Sequence, residues 1–285
     1  MNPCDKSGSD LVLKSIGEAR SDSAFTRADL LVVVVIAMLW VLLLLPAFAR
    51  SRPDSRVFQC LNNHGQLTRA WLMYAADNNE RLATSDSGNI FAGIPVWAAG
   101  WLTWDTRTDN TNTAFLSNPQ YSILANYFRR DARLFKCPAD DYVSSAQRAR
   151  GWLERVRSVG QNFYAANGNS GSTGFDPAYL QVTKLTGLSN PKPASTWISM
   201  DEHPDSINDG ALIAPRTTEW IDVPANYHDG GTTVAFADGH TELRRWRGSL
   251  LNVPVRYVFT PVTAPPNDVD ILWVRARTPR RPGAN

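Results

Sequence analysis

Asp201, Glu202, His203, Asp205, Asn208 and Asp209 crowd into the ten residues DEHPDSINDG, Asp201 to Gly210. Hard oxygen donors at such short spacing are the kind that hold Ca²⁺, and Asp201, Glu202, Asp205 and Asp209 are the candidate set. The spacing does not follow an EF-hand loop, and turns are rich in Asp and Asn without any metal, so calcium and a metal-free acidic turn both stay open. His203, His228 and His240 together with Asp238 have the donor chemistry for zinc, but no pair among them has a characteristic ligand spacing. His228 is instead read as a hydrogen-bonding core residue that pins a hairpin. Trp97, Trp101 and Trp104 in WAAGWLTW have the composition of a sugar-stacking surface. At helical spacing the same residues would form one buried face.

Other chemistries lack their motifs. No Gly-x-Ser-x-Gly elbow is present, and the serines have no recognisable partner. NGNSGSTG, Asn167 to Gly174, lacks the Lys and the flanking strand of a phosphate-binding loop and reads as a surface loop. Nothing singles out a pair of carboxylates for glycoside hydrolysis. The chain is therefore not read as an enzyme. With 29 Lys plus Arg against 27 Asp plus Glu, no global electrostatic attraction to nucleic acid exists. Arg275, Arg277, Arg280 and Arg281 in the terminal RARTPRRPGAN read as a solvated basic tail, residues 275–285.

The elements that must position these residues follow from periodicity. Thr232 to Ala237 and His240 to Trp246 alternate around Asp238-Gly239, a strong two-residue hairpin signal. Strands are expected near Thr196–Met200, Thr232–Ala237 and Thr241–Trp246, forming an antiparallel sheet. Val57, Cys60, Leu61, His64, Leu67, Trp71, Tyr74 and Ala75 recur at three and four residues, one stripe of a helix that Asn78-Asn79 stops. Pro53, with Ser51 as cap, suits the first turn of that helix, which predicts a bend before it. Upstream, Leu30 to Ala49 is twenty residues without a charge, a helix of about 30 Å and the length of a bilayer's hydrocarbon. The polar, partly acidic segment before it does not resemble a secretory signal. Arg50, Arg52 and Arg56 behind the span favour a cytoplasmic position for that end, so charge alone leaves orientation open.

SAFTRADLL, around Ala24-Phe25, resembles the prepilin-type cleavage site of type IV pilins and type II secretion pseudopilins. That resemblance implies cutting between Ala24 and Phe25 by a prepilin peptidase, with Ala24 in place of the usual Gly. It also implies that Asp29, in place of the usual Glu, pairs with the new amine of a neighbouring subunit's Phe25. Pro46 matches the proline that interrupts pilin helices. CLNNHGQLTRAWLMYAADNNERL and YHDGGTTVAFADGHTELRRW, with His228, nine residues, then Asp238-Gly239, are similar to a pseudopilin-like family of planctomycete and verrucomicrobial bacteria that carries the prepilin-type processing-associated domain. KCPAD, TWISMDEHPDSINDG and DILWVRART also look like it.

The resemblance implies an α+β, pilin-like fold in which a long N-terminal helix, transmembrane and then amphipathic, packs on an antiparallel sheet. The expected divisions are a leader at 1–24, a transmembrane and filament-core helix at 25–49, a stem helix at 50–79, an extracytoplasmic domain at 80–274 and the tail. Inner-membrane, single-pass placement with the C-terminal domain outside the cytoplasm follows, as do partners in the peptidase, the membrane and other subunits. Export makes a Cys60–Cys137 disulfide the expected state of the two cysteines that outlast the leader, which takes Cys4 with it, and two buried thiols are the alternative. No cofactor is expected beyond the candidate calcium. The alternative from another class is an anchored extracytoplasmic binding protein, with polysaccharide as its ligand.

Overall fold

The computed structural model describes residues 26–85, 94–166, 176–259, 261–281 and 283, without the side chains of 42–55. Ala24, Phe25 and Cys4 lie outside the described residues. The chain divides into a unit ending at Arg50 and a unit of Ser51–Asn285.

Helix α1 is assigned to Arg27–Asp77, without a break at Pro46 or Pro53, so the separate stem helix expected from Ser51 is not a distinct element. In the N-terminal unit, Thr26 caps the helix reciprocally. Asp29 Oδ2 accepts from the Thr26 N–H at 2.8 Å and from its hydroxyl at 2.7 Å, while the Asp29 N–H donates to Thr26 Oγ1 at 3.2 Å. Leu30–Val41 follow, with their large apolar side chains between 39% and 65% exposed. Among the described residues no helix is long and apolar enough to cross a membrane. That corrects the transmembrane helix and, with it, the single-pass inner-membrane placement.

In the second unit, the expected stripe faces the core: Cys60, His64, Leu67, Trp71 and Ala75 are buried, and Val57, Leu61 and Tyr74 half-buried. The helix ends where Asn79 and Glu80 take positive φ, 55° and 63°, and the Asn78 side chain donates to the Tyr74 carbonyl at 2.8 Å. Two short helices follow, α2 (Ala114–Ser117) and α3 (Ser145–Ala149), the latter with a complete Ser144–Gln147 capping box.

The strands are β1 (Val159–Asn162), β2 (Trp197–Asp201), β3 (Ala211–Leu212), β4 (Glu219–Trp220), β5 (Gly231–Phe236), β6 (Thr241–Arg245) and β7 (Val262–Thr263). Five of them form one sheet in the order β3-β1-β2-β5-β6, and β4 pairs with β7. All pairs in the main sheet are antiparallel except β1–β3, which is parallel, so the sheet is mixed and the purely antiparallel expectation is corrected. Both faces are covered. Leu67, Ala70, Trp71 and Ala75 of α1 pack with Val159, Ile198 and Ala237 on one face. On the other face Trp197, Met200, Val234 and Phe236 pack against Trp220 and against Ile271 and Val274 of α4 (Val269–Arg275).

The tail expectation also needs correction. Arg275 is buried and pairs with Asp176, Arg277 stacks over Trp273 at 4.2 Å, and the Arg280 and Arg281 N–H groups donate to the carbonyls of Asn190 and Ala178. Residues 275–281 are tied to the body because their guanidinium groups find a carboxylate and an aromatic face there.

Candidate metal centre

β2 carries a register irregularity between Trp197 and Ser199 where it pairs with β5. A bulge of this kind re-aims side chains. Ile198 and Ser199 thereby both lie against α1, Met200 returns to the opposite core, and Asp201 points to α1 again. On α1, Cys60 and His64 are one turn apart and face the strand. His64 Nδ1 lies 2.9 Å from Ser199 Oγ, and the Cys60 thiol donates to Asp201 Oδ2 at 3.1 Å.

Two further segments close on the same point. The turn after Phe135 brings in Cys137, fixed by its N–H donating to Ser158 Oγ at 2.6 Å and by the buried Lys136–Asp140 ion pair at 2.8 Å. The turn that leads into β5 brings in His228, whose Nε2 lies 3.3 Å from Cys137 Sγ. Its backbone is locked by reciprocal hydrogen bonds with Gly231 at 3.1 Å. Cys60, Cys137, Asp201 and His228 are all buried, and one donor atom from each lies within 4.8 Å of the others. Burial pushes the Cys60 thiol well above its ordinary range and raises that of Cys137, while it pulls the His228 imidazole down. An imidazole kept neutral in this way has a lone pair to offer a metal.

The cluster differs from the expected sites. Cys60 and Cys137 are free thiols, each with its own polar partner, so the expected disulfide is not formed. The proposed calcium carboxylates do not converge. Asp201 turns inward to the cluster and Glu202 accepts from Ser206 Oγ at 2.7 Å. Asp205 accepts from the Arg256 and Tyr257 N–H groups at 2.6 and 2.8 Å, and Asp209 from the Ala211 N–H at 2.8 Å. The carboxylates thus face separate neighbours, and Glu202 Oε2 is buried without a hydrogen-bond partner.

Asp238-Gly239 does form the hairpin turn, with Gly239 at φ 99°, where a side chain is strained. The Asp238 carboxylate accepts from the His240 N–H at 3.1 Å and lies 2.5 Å from its ring Nδ1, so His240 stays at the exposed tip, away from His228. His203 is engaged by the Val253 carbonyl at 3.0 Å and does not join them. Trp97, Trp101 and Trp104 lie in irregular backbone, not on a helix. Trp97 is buried and donates to the Gly210 carbonyl at 2.7 Å, whereas Trp104 lies under the Arg155 guanidinium and meets Tyr257 edge to face. Trp101 and Trp104 border a cavity of about 240 Å³, below the roughly 300 Å³ where ligand pockets begin.

No family model, curated protein or solved structure matches the chain. The metal-type cluster was hidden in the sequence because its four residues are scattered between positions 60 and 228. The bulge that aims Asp201 leaves no signature in the sequence either.

Proposed function

We propose that the chain is a pseudopilin-like structural subunit that joins copies of itself through the N-terminal part of α1. The observation that carries this reading is the exposure of the apolar side chains of Leu30–Val41 among the described residues. A helix apolar all round must be enclosed from every side, and a bundle of like helices does that where a groove on one partner does not. The second unit supplies a compact head with no catalytic constellation required. Cutting between Ala24 and Phe25 by a prepilin peptidase would free the amine that such a bundle needs opposite Asp29.

Asp29 is exposed in the single chain, and the Thr26 N–H and hydroxyl hold its carboxyl below the ordinary range. Inside a bundle that charge requires a cation, because a carboxylate taken out of water without one is strongly destabilising. Asp29→Asn keeps an oxygen for the Thr26 cap and removes the charge, so filament yield should fall about ten-fold or more while the head remains folded. Asp29→Glu keeps both charge and capping box and should restore assembly. Electron microscopy of the sedimentable fraction, with circular dichroism of the soluble one, reads both effects. The proposal as a whole is tested by the N-terminal residue and assembly state of the protein isolated from its own cells. A start at Phe25 within filaments supports it; a monodisperse protein starting at Met1 refutes it.

A further inference from the structure

We propose that Cys60, Cys137, Asp201 and His228 bind a single Zn²⁺ that fastens α1 to the sheet. Two thiolates, an imidazole and a carboxylate are a zinc donor set, and four protein ligands with no open position make a structural site. Zinc–sulfur bonds of about 2.3 Å and zinc–nitrogen bonds of about 2.0 Å require neighbouring donors roughly 3.3–3.8 Å apart. Cys137 Sγ and His228 Nε2 already stand at 3.3 Å and Cys60 Sγ and Asp201 Oδ2 at 3.1 Å, with the whole set inside 4.8 Å. Metal entry therefore needs shifts of about an ångström, with the two thiol protons leaving to solvent.

The surroundings point the same way. The Ala139 N–H donates to Cys137 Sγ at 3.5 Å, a contact that favours a thiolate. His64 is fully buried, and its Nε2 has no hydrogen-bond partner although it stands 3.4 Å from Asp201 Oδ1. With Ser199 oriented on its other nitrogen, His64 is the outer partner that a ligating carboxylate needs, and a small shift of Asp201 toward the metal would complete that bond. The four ligands come from α1, the turn after Phe135, β2 and the turn before β5, so one ion would cross-link segments that already meet through single hydrogen bonds such as Asn63 to the Lys136 carbonyl at 3.2 Å.

The test uses the full chain purified without chelator from zinc-supplemented cells. Elemental analysis should find one zinc per chain, and exchange with cobalt should give the visible bands of a tetrahedral ion together with thiolate charge transfer. Cys137→Ser and Asp201→Asn should each weaken zinc binding, and His64→Leu, which touches no metal, should weaken it about 10–100-fold. If Cys137→Ser does not fold, the cobalt spectrum of the unaltered chain still decides. Should the cysteines be isolated as a disulfide, uptake of cobalt after reduction supports the site. Two reduced thiols with no stoichiometric zinc and no cobalt spectrum overturn it.

Discussion

Replacing Arg157 by Met is expected to lower the stability of the globular unit by about 3–5 kcal/mol, the scale seen when one member of a buried charged network is removed. Arg157 is fully buried on the segment leading into β1. Its guanidinium donates to the carbonyls of Gly100 and Asn208, each at 3.3 Å, and also to those of Asp209 and Val159. One side chain thus ties β1 to two irregular segments that have no strand ladder to hold them. Burial pulls Arg157 down to about 10, opposed by Asp209 and Glu202, so it remains charged at neutral pH. Met fills the volume but withdraws the donor from the Gly100, Asp209 and Val159 carbonyls, while the Asn208 carbonyl keeps the Leu102 N–H at 2.6 Å. Lys does not replace it, because an ammonium lacks the fork that reaches several carbonyls at once. Thermal unfolding followed by circular dichroism should show Tm lower by about 10 °C for a unit of this size. A loss below about 1 kcal/mol would mean that water supplies the missing donors and that Arg157 is dispensable.

Stability should also fall as pH rises from about 5 to 8.5, and Asp222→Asn should remove much of that slope. Burial pushes the Asp222 carboxyl from 3.8 up to about 8, with Asp209 adding repulsion, although the Ile213 N–H at 2.7 Å works against both. A carboxyl raised in the folded state binds its proton there while the unfolded chain has already lost it. Its contribution is complete below the unfolded value near 3.8, declines through the window between, and is lost above about 8. The shift sets a ceiling of about 5–6 kcal/mol, and about 2–3 kcal/mol is expected after relaxation and water penetration. Glu202, itself raised by burial and by Asp222, acts in the same direction. Asn keeps an acceptor for Ile213 and cannot ionise, so the variant should be the more stable protein at pH 8.5 and close to the parent at pH 5. Urea unfolding across that range measures it; parallel profiles for the two proteins would place the pH dependence elsewhere.

What the chain reveals before folding depends on how local the cause is. The α1 stripe, its stop at Asn78-Asn79 and the β5–β6 hairpin were all legible, because helical period, left-handed residues and a two-residue turn act over a few positions. The strands observed at Trp197–Asp201, Gly231–Phe236 and Thr241–Arg245 lie within a residue of where alternation placed them. β1 was not legible. VGQN is buried throughout yet does not alternate and has Val159 as its one β-branched residue; Gln161 and Asn162 are buried because their amides go to the Ala83, Ala165 and Trp197 carbonyls. The parallel β1–β3 pair involves two residues on each strand and carries no pattern at all. The Trp run misled for a related reason: its spacing fits a helix, but Trp97, Trp101 and Trp104 answer to long-range partners. The number of cysteines suggested a disulfide that the structure does not form, and Asp201 and His228 are joined to the two thiols only by the fold.

The main sheet also says how copies of this protein do not meet. Its outermost strand on one side, β6, is Thr-Glu-Leu-Arg-Arg, with Arg244 turned back to Asp270 at 3.1 Å; on the other side β3 stops after two residues, and Pro215 follows soon after. Neither border offers a long, uncharged row of backbone groups to an incoming strand. Copies of this unit that meet side by side are therefore guarded against zipping into cross-β aggregates.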